Sequence, residues 1–291
     1  MFTIFALLFL LTFWRITHLV PTSDLLGILI FTSPCPLMNR VFLQSFALLG
    51  AVQLINILSL VHGSLQAKKD AALKLVTTLR ENGLAQARTV LDIGCGRGTF
   101  GIAIARELQE IDAAIKEEAV PGRNLRSRRV TMLDLWSRTE QVSGVADSAV
   151  ARDIIFANAK REGIVDVKEV LKVEDGDARD LRGVRTRSVD VVVAGLSVSF
   201  IGEDEGTVKE LVDGVEALKS GREKALKEMV RVCRDGGVIA IWDSRFKDQY
   251  VAFLESCEEV EKVWTVFGGL AFGAMTYIVL ARRKGSVKTD E

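Results

Sequence analysis

Residues 88–108 constrain this chain most. An apolar run, Val90-Leu91-Asp92-Ile93, gives way to Gly94-Cys95-Gly96-Arg97-Gly98-Thr99-Phe100-Gly101, and an amphipathic segment follows through Ile102, Ala103, Ile104, Ala105 and Leu108. A strand, a glycine turn and a helix in immediate succession form the unit from which parallel sheets are built. The glycines let the backbone turn tightly and lie against a ligand that any Cβ would push away. The helix behind them offers unpaired N–H groups at its N-terminus. Gly96, Gly98 and Gly101 also spell G-x-G-x-x-G, the pattern that cradles a dinucleotide pyrophosphate. In that pattern the first glycine follows the strand almost directly, whereas here Asp92 and Gly94 intervene. A carboxylate at Asp92 would repel a pyrophosphate and favour a ligand carrying an ammonium group. A turn with no ligand is the third reading.

The same alternation continues along the chain. Residues 65–86 have helical periodicity closed by Gly83, and a strand over 88–93 leads through the glycine turn into a helix to about residue 117. Val130–Trp136 reads as strand two, with Asp134 near its C-terminal end, and 146–162 as a helix ended by Gly163. Val167–Val173 is expected to be strand three, leading into Gly176-Asp177-Ala178. Val189–Leu196 is nearly continuous in apolar residues, as strands buried on both faces are. A helix from about 207, interrupted near Gly221, precedes Gly236-Gly237 and a strand over 238–243. A helix near 247–257 and two strands, 260–267 and 273–282, complete the pattern. The expected fold is α/β, a doubly wound, mostly parallel seven-stranded sheet with its ligand site at the C-terminal strand ends.

Composition removes several classes of function. Lysine plus arginine equals aspartate plus glutamate at 38 each, so the chain has no electrostatic footprint for nucleic acid. Arg123, Arg126, Arg128 and Arg129 form the one basic cluster and read as a solvated loop. Cys35, Cys95, Cys233 and Cys257 include no C-x-x-C pair, which fits a reducing compartment and argues against a zinc site. The only histidines are His18 and His62. Residues 65–291 therefore lack the imidazole that a Ser-His-Asp triad or a histidine-ligated metal requires.

Residues 1–64 read as a separate, membrane-inserted unit. Charge there is confined to Arg15, Asp24 and Arg40, and Val41–Val61 is 21 residues without a charge. At 1.5 Å per residue such a helix is about 31 Å long, matching a hydrocarbon core of roughly 30 Å. Phe2–Trp14 is shorter, and Pro21, Pro34 and Pro36 break the stretch between. The simplest picture is a helical hairpin. A hairpin dipping into one leaflet, a cleaved signal peptide and a cap packed on the following domain stand beside it. Lys68 and Lys69 favour the cytosolic side of the membrane for residues 65–291, with Arg40 on the short loop voting the other way.

The motif Asp92-x-Gly94-x-Gly96-x-Gly98 resembles the first motif of the class I S-adenosylmethionine-dependent methyltransferases, and the resemblance covers roughly residues 85–285. It implies that Asp134 takes the ribose hydroxyls and that Asp177 receives the adenine amine. The implied cofactor contacts are Asp92, Gly94, Cys95, Gly96, Asp134, Leu135, Asp177, Ala178 and Gly195, with no metal. Asp134-Leu135-Trp136-Ser137, Asn158-Ala159-Lys160-Arg161-Glu162-Gly163 and Phe267-Gly268-Gly269 resemble words of a poorly characterised branch of that family. The chain departs from the family pattern in three places, the least of them Asp235 in place of the proline before Gly236-Gly237. Asp134 lies further beyond the last motif glycine than usual, which reads as a surface insertion over 110–128. Ser199 stands where the branch carries a histidine, removing the obvious general base. The implied function is methyl transfer from S-adenosylmethionine to a small or lipid acceptor at a membrane. A noncatalytic cofactor-binding protein and a nucleotide-dependent oxidoreductase are the alternatives.

Overall fold

Strands β1 (Thr89–Ile93), β2 (Arg129–Asp134), β3 (Leu171–Asp175), β4 (Val189–Gly195), β5 (Cys233–Asp243), β6 (Val260–Ala271) and β7 (Ala274–Arg283) form one sheet in the order β3-β2-β1-β4-β5-β7-β6. In this computed structural model the described residues are 66–118, 128–136, 148–201, 213–271 and 274–285. The chain divides into two compact units, Met1–His62 and Gly63–Glu291, and every described residue belongs to the second. The expected membrane hairpin therefore lies outside the described residues, as do Arg123 and Arg126. Among the described residues no helix is long and apolar enough to cross a membrane.

The first five strands pair in parallel, and β7 runs antiparallel between β5 and β6. This is the doubly wound seven-stranded sheet expected from the alternation of periods. Helices α1 (66–81), α2 (Thr99–Glu118), α3 (Ser148–Arg161), the single turn α4 (Val167–Val170), α5 (Asp213–Val232) and α6 (Lys247–Ser256) connect the strands. β4 is the central strand, and Val189 to Ala194 are all buried because helices cover both faces. At the N-terminal edge Asp190 binds neighbouring strands together. It accepts the N–H groups of Arg88 (2.6 Å) and Thr89 (2.7 Å) and pairs with Arg234.

β5 starts at Cys233 rather than 238 and β6 runs on to Ala271 rather than 267, and three further differences from the sequence expectation have a local physical reason. Strand three begins at Leu171, because Val167–Val170 coils into a helical turn after Asp166, whose φ is 52°. Val167, Val170 and Leu171 are spaced i, i+3, i+4, so the helical period wins locally. α5 runs unbroken through Gly221. That glycine is buried, and the amphipathic face continuing through Ala225, Leu226, Met229 and Val230 outweighs the roughly 1 kcal/mol a helical glycine costs. The region read as an insertion is helical as far as Glu118, where α2 ends, and residues 119–127 lie outside the described part.

Candidate active site

The C-terminal ends of β1, β2 and β3 are laced together by their backbones. Gly94 and Cys95 both donate to the carbonyl of Leu133, at 2.7 and 3.2 Å. Gly176 donates to the carbonyl of Asp134 (2.9 Å), and Trp136 to the Asp175 carboxylate (3.0 Å). Gly94, Gly96 and Gly98 hold φ values of 65°, 52° and 86°, left-handed conformations that favour glycine.

Two carboxylates converge on this turn. Asp134 accepts the Gly96 N–H on Oδ2 (2.7 Å) and the Leu135 N–H on Oδ1 (2.8 Å). Asp92 lies under the turn, 1% exposed, and its Oδ2 accepts the Gly101 N–H from the first turn of α2 at 2.9 Å. Its Oδ1 is buried with no hydrogen-bond partner. Burial pushes the Asp92 carboxyl up, the Gly101 N–H pulls it partly back, and the negative charge of Asp134 pushes it further, to about 7. Burial, with Asp92 and Asp134 adding to it, also holds the Cys95 thiol well above its usual range. Among the described residues no lysine or arginine pairs with Asp92 or Asp134. A Cβ at Gly101 would lie 2.6 Å from Met132 Cε and 2.9 Å from Asp92 Oδ2, so glycine there keeps the Asp92 contact open.

Gly195 ends β4 for reasons of packing. Phe100, the second residue of α2, has the Cδ2–Cε2 edge of its ring where a Gly195 Cβ would stand, and its ring centroid is 5.3 Å from that of Trp242. Beyond it Leu196 takes a φ of 55°, and its N–H bonds the Trp242 carbonyl at 2.8 Å. Ser197 then donates its hydroxyl to the Ile93 carbonyl (2.8 Å), fastening the β4 exit to the β1 exit.

Asp177 is already engaged. Arg179 forks onto it, Nε to Oδ1 at 2.9 Å and Nη2 to Oδ2 at 2.6 Å, and the Arg179 N–H adds a third bond to Oδ1. An adenine amine at this carboxylate would share it with a guanidinium. Ala178 packs half-buried on the core. The segment is tied to α5 through Leu181, whose N–H bonds Glu228 (2.7 Å) and whose carbonyl accepts from Arg231 (2.8 Å). Arg231 in turn holds the Glu228 carboxyl below its usual range.

Four residues at this edge escaped the sequence reading: Phe100, Arg179, Ser197 and Arg222. Phe100 had a signal, a bulky ring immediately behind a glycine turn; the others act through neighbours remote in sequence or through a rotamer. Arg222 is buried on the ring of Phe246, 3.9 Å from its centroid, with Nη2 on Gln249. Asp243 ends β5, where substrate groups can lie, but it is structural. Its oxygens accept the N–H groups of Ser244 and Arg245 and the hydroxyl of Tyr250. Trp136 is buried in the core. Among the described residues no cluster of His, Cys, Asp and Glu is arranged to hold a metal ion.

The chain is similar in fold to solved methyltransferases. An O-methyltransferase family protein from Burkholderia thailandensis matches at 12% identity and a TM-score of 0.46, over 74% of this chain and 57% of that one. The chain thus spans little more than half of that relative. The N-methyltransferase NodS from Bradyrhizobium japonicum, in complex with S-adenosyl-L-homocysteine, matches at 15% identity and a TM-score of 0.45, over 72% of this chain and 86% of that one. The cyclase SpnF matches at 15% identity and a TM-score of 0.43, over 73% and 81% of the two chains. Identities this low transfer neither substrate nor reaction. No family model and no curated protein matches the sequence.

Proposed function

We propose that this protein is a class I methyltransferase that binds S-adenosylmethionine at the β1 glycine turn and acts on a lipophilic acceptor at a membrane. The observation that carries the reading is the convergence of Asp92 and Asp134 on one glycine turn. A pyrophosphate seated there would face two carboxylates without a cation between them. A ligand with an ammonium group and a ribose diol meets complementary groups instead. The orphaned Oδ1 of Asp92 is an acceptor awaiting a donor, and Asp134 retains lone pairs for two hydroxyls. The residues present therefore fit the cofactor.

When bound, S-adenosylmethionine supplies an electrophilic methyl group on a sulfonium. The chain's own part is positioning. Asp92 and the glycine turn would hold the amino acid end, Asp134 and Leu135 the ribose, and the Asp177–Ala178 turn the adenine. Asp243, Ser197 and Tyr250 have their polar atoms committed, and burial raises the Tyr250 hydroxyl further from use as a base. Alignment of acceptor and methyl in a water-poor site then carries the rate.

Asp134→Asn is expected to weaken S-adenosylmethionine by about 1.5–3 kcal/mol, the worth of a hydrogen bond to a charged group. A 2′-deoxyribose analogue should lose less from the same change in a calorimetric titration. Equal losses would remove Asp134 from the ribose. Titration with NAD(P)H tests the oxidoreductase reading, and transfer of labelled methyl to a lipid extract separates an enzyme from a noncatalytic binder.

The anchor is tested separately. A chain beginning at Ser64 retains every described residue and is expected to be soluble and to bind S-adenosylmethionine, while the full chain floats with vesicles and resists carbonate extraction. A soluble full chain, or a shortened chain that unfolds, would instead make residues 1–62 a packed cap.

A further inference from the structure

The β6–β7 hairpin presents an uncovered apolar strip at the edge of the sheet where the glycine turn lies. Asp243, the last residue of β5, pairs with Tyr277, so Ala274, Met275 and Thr276 of β7 run past the end of β5. β6 accompanies them: Phe267 pairs with Tyr277, and Leu270 with Met275. Residues paired across two strands point to the same side, as do Met275 and Tyr277 two positions apart. The four side chains therefore form one strip, in which Phe267 is 48%, Leu270 69% and Met275 58% exposed. Phe200, beyond the end of β4 at the same edge, is 74% exposed. Two ammonium groups flank the strip. Lys74 lies 5.4 Å from the Phe267 ring centroid, and Lys247, which also pairs with Asp248, lies 4.8 Å from that of Tyr277.

We infer that this strip seats in the interfacial layer of a lipid bilayer and brings the catalytic edge to it. The inference rests on the membrane reading proposed above. Aromatic and aliphatic side chains rimmed by lysines suit the boundary between headgroups and acyl chains. Chain connectivity names the occupant. The uncharged stretch Val41–Val61 ends five residues before α1 begins. Lys74, which reaches Phe267, lies only about 12 Å of helix beyond that start. An acceptor dissolved in such a bilayer would then approach the site along the hairpin.

The test places a benzophenone amino acid at Leu270, or as a control at Val165. Val165 is equally exposed but lies between α3 and α4, at the opposite edge of the sheet. The full chain is reconstituted in vesicles of phosphatidylcholine and phosphatidylglycerol, irradiated and analysed by mass. Lipid adducts at position 270 and not at 165 are expected. In a companion variant, Leu270→Glu with Met275→Glu, S-adenosylmethionine affinity should be unchanged, since neither residue touches the cofactor turn. Cross-links between two copies of the chain, equal labelling at both positions, or no adduct in a chain that still floats with vesicles would overturn the inference alone. A chain that fails to float would overturn the anchor reading first.

Discussion

At pH 8 the Asp92→Asn variant is expected to be more stable than the parent protein and to bind S-adenosylmethionine more weakly. The Asp92 carboxyl rises from an ordinary 3.8 to about 7 on folding, chiefly through burial. Between those values the folded state holds a proton that the unfolded chain has released. Stability therefore falls as pH rises through this window, and the loss is complete above pH 7. Across that shift the buried carboxylate costs up to about 4 kcal/mol. Asparagine can still accept the Gly101 N–H, but its own amide is left unpaired where Oδ1 stood, at about 1–3 kcal/mol. The net gain at pH 8 is about 1–3 kcal/mol, and it should shrink with falling pH and reverse near about pH 5. Denaturant unfolding from pH 4 to 8 measures it. A difference that does not move with pH would mean that Asp92 is ionised throughout. Cofactor affinity should move the opposite way, with a loss of about 1.5–3 kcal/mol at pH 8 from removing a charged acceptor.

Gly94→Ala should cost several kcal/mol, and Ser197→Gly should relieve the part that comes from the clash. Gly94 sits at φ 65°, and a Cβ there would fall inside the van der Waals envelope of the Ser197 Cβ and Oγ. Backbone strain alone accounts for about 1–2 kcal/mol. The clash adds at least as much, because Ser197 is held by its bond to the Ile93 carbonyl and cannot easily retreat. Ser197→Gly removes the obstructing atoms and, by itself, loses a hydrogen bond worth about 1 kcal/mol. A double-mutant cycle is expected to show a coupling of about 2–3 kcal/mol favouring the pair. Additive costs would mean that the β1 and β4 exits are not in contact.

Much of the scaffold follows from short-range patterns. The apolar run of β4, the strand–glycine–helix passage at 88–108 and the alternation of periods 2 and 3.6 identify a parallel, doubly wound sheet. An acid at the end of strand two is visible because Asp134 closes an apolar run. Errors fell where two periods compete over a few residues. Val167–Val170 satisfies both a strand and a helical turn, and only the packing of Val167 and Leu171 decides between them.

The amino-acid sequence by itself determined the order of elements, the glycine conformations of the turn and the positions of the acids at the strand ends. These depend on local periodicity and on backbone sterics, which neighbours in the chain control. Only the tertiary structure decided what state those acids are in. Asp92 is poised near neutrality because β2, α2 and Asp134 close around it, and Asp177 is held by a guanidinium whose rotamer no spacing reveals. Asp243 was spent on its own turn and on Tyr250. The apolar strip of the last hairpin likewise arises from register, because a pairing shifted by one residue would turn Phe267 and Leu270 to the other face. Burial and proximity are properties of the folded surface, and they assign each carboxylate its role.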